Sequence, residues 1–181
     1  MPNRIRMLVA TLPMIVAASG CLYEATIDAK GGAELKIHYR VDPQMKPDRV
    51  GTDLQSSDVK LVSKSIDKNH YVDATLRMAD VTKLSTAPFF RTTAVTLVDG
   101  PEKGTKKLTI TSVNKTPGAK IPPTAVDYYG SEIKVVLHLP GDVVASNATE
   151  SKGPDATWVF DTKKFFAPKE NVLEVTYRLA H

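Results

Sequence analysis

The chain holds few residues that could do chemistry: one cysteine, Cys21, four histidines at positions 38, 70, 138 and 181, scattered carboxylates, and an unusual set of adjacent aromatic rings. Catalysis by a nucleophile requires a base and an orienting group to converge on it. No G-x-S-x-G, H-E-x-x-H or phosphate-cradling glycine loop occurs, and Gly31-Gly32 and the glycines at 100 and 104 read as turns. His38 and His138 fall on the polar phase of alternating segments and read as solvated face residues. Asp142, Asp155 and Asp161 sit in turn-like sequence, where aspartate bonds its own backbone. The expectation is a protein that is not an enzyme, with no metal and no cofactor.

The aromatic distribution is more informative. Of twelve Phe, Tyr and Trp residues, six occur as the doublets Phe89-Phe90, Tyr128-Tyr129 and Phe165-Phe166. Neighbours in extended chain point to opposite faces, so only one ring of each pair can enter a given core. Each doublet also adjoins a breaker: Pro88, Gly130 or Pro168. One reading has each pair straddling a covering turn. The other has these rings lining the mouth of an apolar cavity or forming a contact patch, because aromatics bury much area at little entropic cost.

Cys21 follows the small residues Ala18-Ser19-Gly20 and closes a stretch with Arg4 and Arg6 at its start and an apolar run from Met7 to Val16. That is the layout of a cleavable export signal. A spanning helix needs about 20 apolar residues; this run is about half as long and contains Pro13. The residues before Cys21 resemble the lipobox of bacterial lipoproteins. The resemblance implies cleavage between Gly20 and Cys21 and acylation of the Cys21 sulfur, with Ala18 standing where leucine is usual. A lone cysteine fits this, since an exported chain would otherwise carry an unpaired thiol into an oxidising compartment. One acyl chain anchors only marginally, whereas two or three hold firmly. The expected location is a membrane, lipid-anchored and facing out of the cytoplasm. Leu22 lacks the aspartate of a retention signal, which favours the outer membrane in a two-membrane host.

The expected organisation is a signal peptide over 1–20 and one extracytoplasmic β-rich domain over 21–181. The second is long enough for a single sizeable core. Arg4 and Arg6 leave with the signal, so 24 basic residues against 20 acidic ones become 22 against 20. Lysines occur as pairs, not runs, so nucleic acid is not an expected partner.

Alternation runs through Glu34 to Asp42, Ile133 to Leu139 and Leu173 to Leu179, the period of a strand with one face buried. Residues 23–42 read as a hairpin around Gly31-Gly32. Further β-like runs cover 59–65, 71–79, 92–98, 107–113 and 157–160. Helical signals are short: Asp80 caps a turn or two through Val81 and Leu84, and Val50 with Leu54 suggests another. Proline, glycine and asparagine make loops of Pro117 to Gly130 and Pro140 to Pro154. The fold class expected is α+β: a mainly antiparallel β-sheet with one or two short covering helices.

Leu139-Pro140-Gly141-Asp142 with Asn147, then Thr157-Trp158-Val159-Phe160, then Leu173-Glu174-Val175-Thr176-Tyr177 resembles a pattern of small bacterial lipoproteins, the LppM-type lipoprotein domain among them. That resemblance implies a fold likened to lipid-binding modules. The expected function is a lipid-anchored envelope lipoprotein that binds a hydrophobic ligand such as a lipid, or another envelope component. The alternative is a structural or assembly lipoprotein that docks a partner protein through its aromatic loops.

Overall fold

The computed structural model describes residues 20–113, 130–167 and 169–179. The alternating segments all form strands. β1 (Gly20–Ile27) and β2 (Ala33–Arg40) make the hairpin, with Gly31 at φ 89° in its turn. β3 (Val59–Ile66) and β4 (Tyr71–Met78) follow, then β5 (Thr93–Asp99) and β6 (Thr105–Val113). After residues 114–129 come β7 (Glu132–His138), β8 (Val143–Ser146), β9 (Glu150–Lys152), β10 (Asp155–Asp161) and β11 (Glu170–Arg178).

The strands divide into two sheets, where the sequence pattern suggested one. The larger runs β3-β4-β2-β1-β7-β10-β9 and the smaller β5-β6-β11-β8. Neighbours pair antiparallel except β1 with β7, whose register sets Cys21 beside Ile133 and Ala25 beside Leu137. The fold is thus mainly β and mostly antiparallel. The inward phases of both sheets meet in one core, with Leu76, Leu108, Ile133, Leu137 and Val175 at 2% exposure or less. Truncating a buried leucine in such a place costs about 2–5 kcal/mol.

Pro140 to Pro154 is not all loop. After Pro140-Gly141 ends β7, the chain crosses to the smaller sheet as β8, then returns as β9 to the edge of the larger. Asn147, at the crossing, joins the two sheets. Its Oδ1 accepts from Trp158 Nε1 (2.8 Å) and from the Glu174 N–H (2.8 Å), and its Nδ2 donates to the Val172 carbonyl (2.9 Å). The Asn and Trp of the C-terminal sequence pattern are therefore two ends of one inter-sheet tie.

Helical structure is short, as expected. Asp80 caps the 3₁₀ turn Val81–Thr86; its carboxyl accepts from the Thr82 hydroxyl (2.7 Å) and the Thr82 N–H (2.9 Å), which together hold it below the usual range. Further 3₁₀ turns cover Thr52–Leu54 and Pro88–Phe90. A four-residue helix, Thr162–Phe165, is capped by Asp161 and was not expected. No helix among the described residues is long and apolar enough to cross a membrane.

Candidate functional site

Between the sheets lies a cavity of about 250 Å³. Its larger-sheet wall is Tyr23, Ala25, Ile27, Leu35, Val135 and Leu137, the inward phases of β1, β2 and β7. The smaller sheet supplies Thr93, Val95, Ile110, Ser112 and Leu173. Val81 and Leu84, on the capped 3₁₀ turn, cover one side with Met78.

Phe89, Phe90, Phe165 and Phe166 all line this space. The sequence set them out as separate doublets, each straddling a turn or lining a cavity mouth; the fold brings the two doublets to one cavity. Phe89 and Phe90 pack edge to face with centroids 4.9 Å apart, and Phe165 and Phe166 do the same at 5.4 Å. Phe89 also leans on Tyr39 (5.3 Å) and Phe165 on Phe160 (5.3 Å). Each ring pair is thus held by a third aromatic. Tyr128 and Tyr129 lie outside the described residues.

The cavity has two unlike ends. Leu97 packs against Gly31, where an added Cβ would meet Leu97 Cδ2 at 3.1 Å, so the Leu97 row of the smaller sheet lies by the β1–β2 turn. The Thr93 row lies two steps further along the same face. It therefore sits toward the start of β1. Around the turn end, Ile27, Ala33, Met78, Val81 and Leu84 are all buried. Toward the other end Phe89, Phe165, Phe166, Tyr23 and Ser112 are only half-buried, so among the described residues this is the end that reaches solvent.

Gly20 and Cys21 open β1 at that same end. Gly20 bridges Gly130, whose carbonyl accepts from Thr162 Oγ1 at 2.7 Å, and the Phe165-Phe166 pair follows directly in the chain. The Cys21 side chain is inward and 5% exposed, and burial pushes its thiol up to about 11.

The histidines lie elsewhere, and they are less solvated than their polar phase suggested. His38 is half-buried, stacks on Tyr71 (4.9 Å) and meets Asp73 Oδ1 through Nδ1 (2.8 Å). His138 is held by Asp155 at Nδ1 (2.7 Å) and by Glu24 at Nε2 (3.1 Å). Asp155 is thus a strand residue of β10 facing His138, not a turn residue. Burial disfavours the charged ring, but the hydrogen bonds and charges of Asp155 and Glu24 outweigh it and raise the His138 pKa. The two nitrogens face different carboxylates, which makes a cross-strand ion-pair row; among the described residues no three such side chains converge to hold a metal. His38 and His138 do not approach each other, since β1 separates their strands and pairs them at Leu22 and Thr26. His70 sits in the β3–β4 turn at φ 64°, and His181 lies outside the described residues.

Sequence reading missed Tyr23, Thr92, Thr93 and Ser112 as lining residues. The available signal was polar residues on the inward phase of β5 and β6, which a strictly apolar core would not carry.

These features define a class: a two-sheet, mostly antiparallel β domain with a cavity between its sheets that is uncharged among the described residues and has an aromatic rim at one end. The folded domain of Mycobacterium tuberculosis LppM, solved by NMR, is similar to it, with a TM-score of 0.55 over 89% of this chain and 90% of that one. At 13% identity the likeness is one of fold, and it bears out the resemblance read from the C-terminal strand pattern. No family model and no curated protein matches the chain by sequence.

Proposed function

We propose that this chain is a lipid-anchored lipoprotein of the cell envelope, non-enzymatic, whose inter-sheet cavity binds a hydrophobic ligand. The observation that carries this reading is the convergence of both described phenylalanine doublets on one cavity that no charged side chain lines among the described residues. Apolar cavities with a few polar groups are the usual form of small-molecule sites. The docking alternative called for exposed aromatic loops; all four described rings are instead half-buried or buried around the cavity, which supports the ligand.

The anchor is Cys21. A sulfur carrying acyl chains cannot stay where the thiol now lies, 5% exposed beside Ile133. Cleavage after Gly20 removes the residue that bridges Gly130, and Cys21 as the new terminus is free to turn outward while β1 keeps its pairing from Leu22 on. Changing Cys21→Ser is expected to release the protein from membranes; retention together with no acyl mass on residue 21 overturns the anchor.

Ligand binding is tested by native mass spectrometry of the full chain after incubation with lipid extract. A discrete added mass is expected, and it is expected to vanish in Ala25→Phe, whose ring projects from β1 into the cavity. A variant that folds and still binds the same mass would refute the cavity as the site.

A further inference from the structure

The inner face of the smaller sheet is graded in polarity. Its cross-strand rows are fixed by register: Leu97 beside Leu108 beside Val175, then Val95 beside Ile110 beside Leu173, then Thr93 beside Ser112 beside Asn171. Two apolar rows thus end in a wholly polar one, with Thr92 next to it in the lining. Asn171 is 5% exposed, and its Nδ2 donates to the Phe165 carbonyl at 2.9 Å, so the polar row also holds the aromatic rim. The polar row lies at the end that reaches solvent, and the apolar rows run toward the closed end.

We propose that the cavity takes one acyl chain of a neutral amphiphile, inserted tail first, with the ester or hydroxyl at its head bonded by Thr92, Thr93 and Ser112. This rests on the ligand-binding reading above and specifies its ligand. Volume sets the chain number. A methylene takes about the share of a water molecule, roughly 30 Å³, so about 250 Å³ matches roughly eight methylenes, the size of one medium-length chain. Chemistry sets the head. Each hydroxyl donates one hydrogen bond and accepts others, which suits an ester, an amide or another hydroxyl. Among the described residues no lysine, arginine or acidic side chain lines the space to neutralise an ionised group, and a charge without a partner is costly to desolvate.

The test is calorimetric titration of the full chain, expressed without export so that Cys21 stays unmodified, with 1-monoacylglycerols of six to sixteen carbons below their micellar concentrations. Affinity is expected to rise about fourfold per methylene and to level off near eight to ten carbons. Dioctanoylglycerol is expected to bind no tighter than monooctanoylglycerol, and octanoate at pH 8 about tenfold more weakly. Ala33→Leu, at the closed end, is expected to move the plateau down by about three carbons. Ser112→Ala is expected to weaken the monoacylglycerol several-fold, with Ser112→Thr restoring it. An affinity that climbs without a plateau to sixteen carbons, or binding confined to two-chain lipids, overturns the single-chain assignment while leaving the cavity a lipid site. Failure of every amphiphile to bind overturns both.

Discussion

Replacing Asn147 with alanine removes three side-chain hydrogen bonds at once and asks how much the inter-sheet tie is worth. The Trp158 indole is 3% exposed, so its N–H, 2.8 Å from Asn147 Oδ1, loses a partner that solvent replaces poorly. That loss is about 1 kcal/mol. The Glu174 N–H and the Val172 carbonyl lie where water reaches them, so each contributes roughly 0.5 kcal/mol. The sum is about 2 kcal/mol, read as a lower urea midpoint at unchanged slope. In melting temperature it is a fall of about 4–8 °C for a chain of this size. A cycle with Trp158→Phe separates the tie from simple loss of packing. If the indole bond is the larger part, the double variant is less destabilised than the two singles together by about 1 kcal/mol. A single variant within 0.5 kcal/mol of the parent, or strictly additive losses, would refute the assignment of Asn147 as the link between the sheets.

The remaining predictions address charge, backbone and the thiol. Because His138 has a raised pKa in the folded chain, its ion pairs stabilise fully below the ordinary value of about 6.5 and are lost as pH rises through the folded one. The melting-temperature gap between the parent and His138→Gln is therefore expected to be wider at pH 5.5 than at pH 8, and an equal gap at both would remove the pairing from the account. Gly31→Ala is expected to cost roughly 1–2 kcal/mol, since φ is 89° and its methyl would crowd Leu97 at 3.1 Å; chemical denaturation measures it. In the unprocessed chain, burial lifts the Cys21 thiol to about 11, so at pH 7.5 it should react with a maleimide only after denaturant is added. Rapid labelling of native protein would mean that the start of β1 is already detached.

Period-two alternation carried most of the fold because it records a physical fact about one face of a strand at a time. β2, β7 and β11 were plain for that reason, and Asp80 was plain because an N-cap needs a short side-chain acceptor beside free N–H groups. Alternation does not say which strand pairs with which, so the division into two sheets was hidden. β8 and β9 were hidden too. They are four and three residues long, flanked by Pro140, Gly141, Gly153 and Pro154, and their backbone pairing owes nothing to a pattern of their own. The phenylalanine doublets were visible as an anomaly, but their convergence required the crossing of the chain that Asn147 fastens. The polar row was least visible. Thr93, Ser112 and Asn171 come from three separate strands, and only register sets them side by side.

The end of the cavity that reaches solvent is also the end at which the chain enters β1. Gly20 meets Gly130 there, Thr162 bonds Gly130, and Asn171 bonds Phe165. With Cys21 acylated at that point, the tether is only a strand residue or two long, too short to hold the aromatic rim far from the surface of the bilayer. An acyl chain leaving the membrane would then meet Phe89, Phe165 and Phe166 before it met bulk water. Exposing each methylene to water costs about 0.8 kcal/mol, so eight methylenes crossing open solvent would face a barrier of about 6 kcal/mol that a rim apposed to the bilayer avoids. An anchor at Cys21 and a ligand in the cavity would then serve one purpose in this geometry. Moving the anchor away with a flexible insertion between Cys21 and Leu22 is expected to slow ligand exchange with vesicles while leaving equilibrium affinity for a soluble monoacylglycerol unchanged. Exchange insensitive to such an insertion would mean that the shared end is incidental.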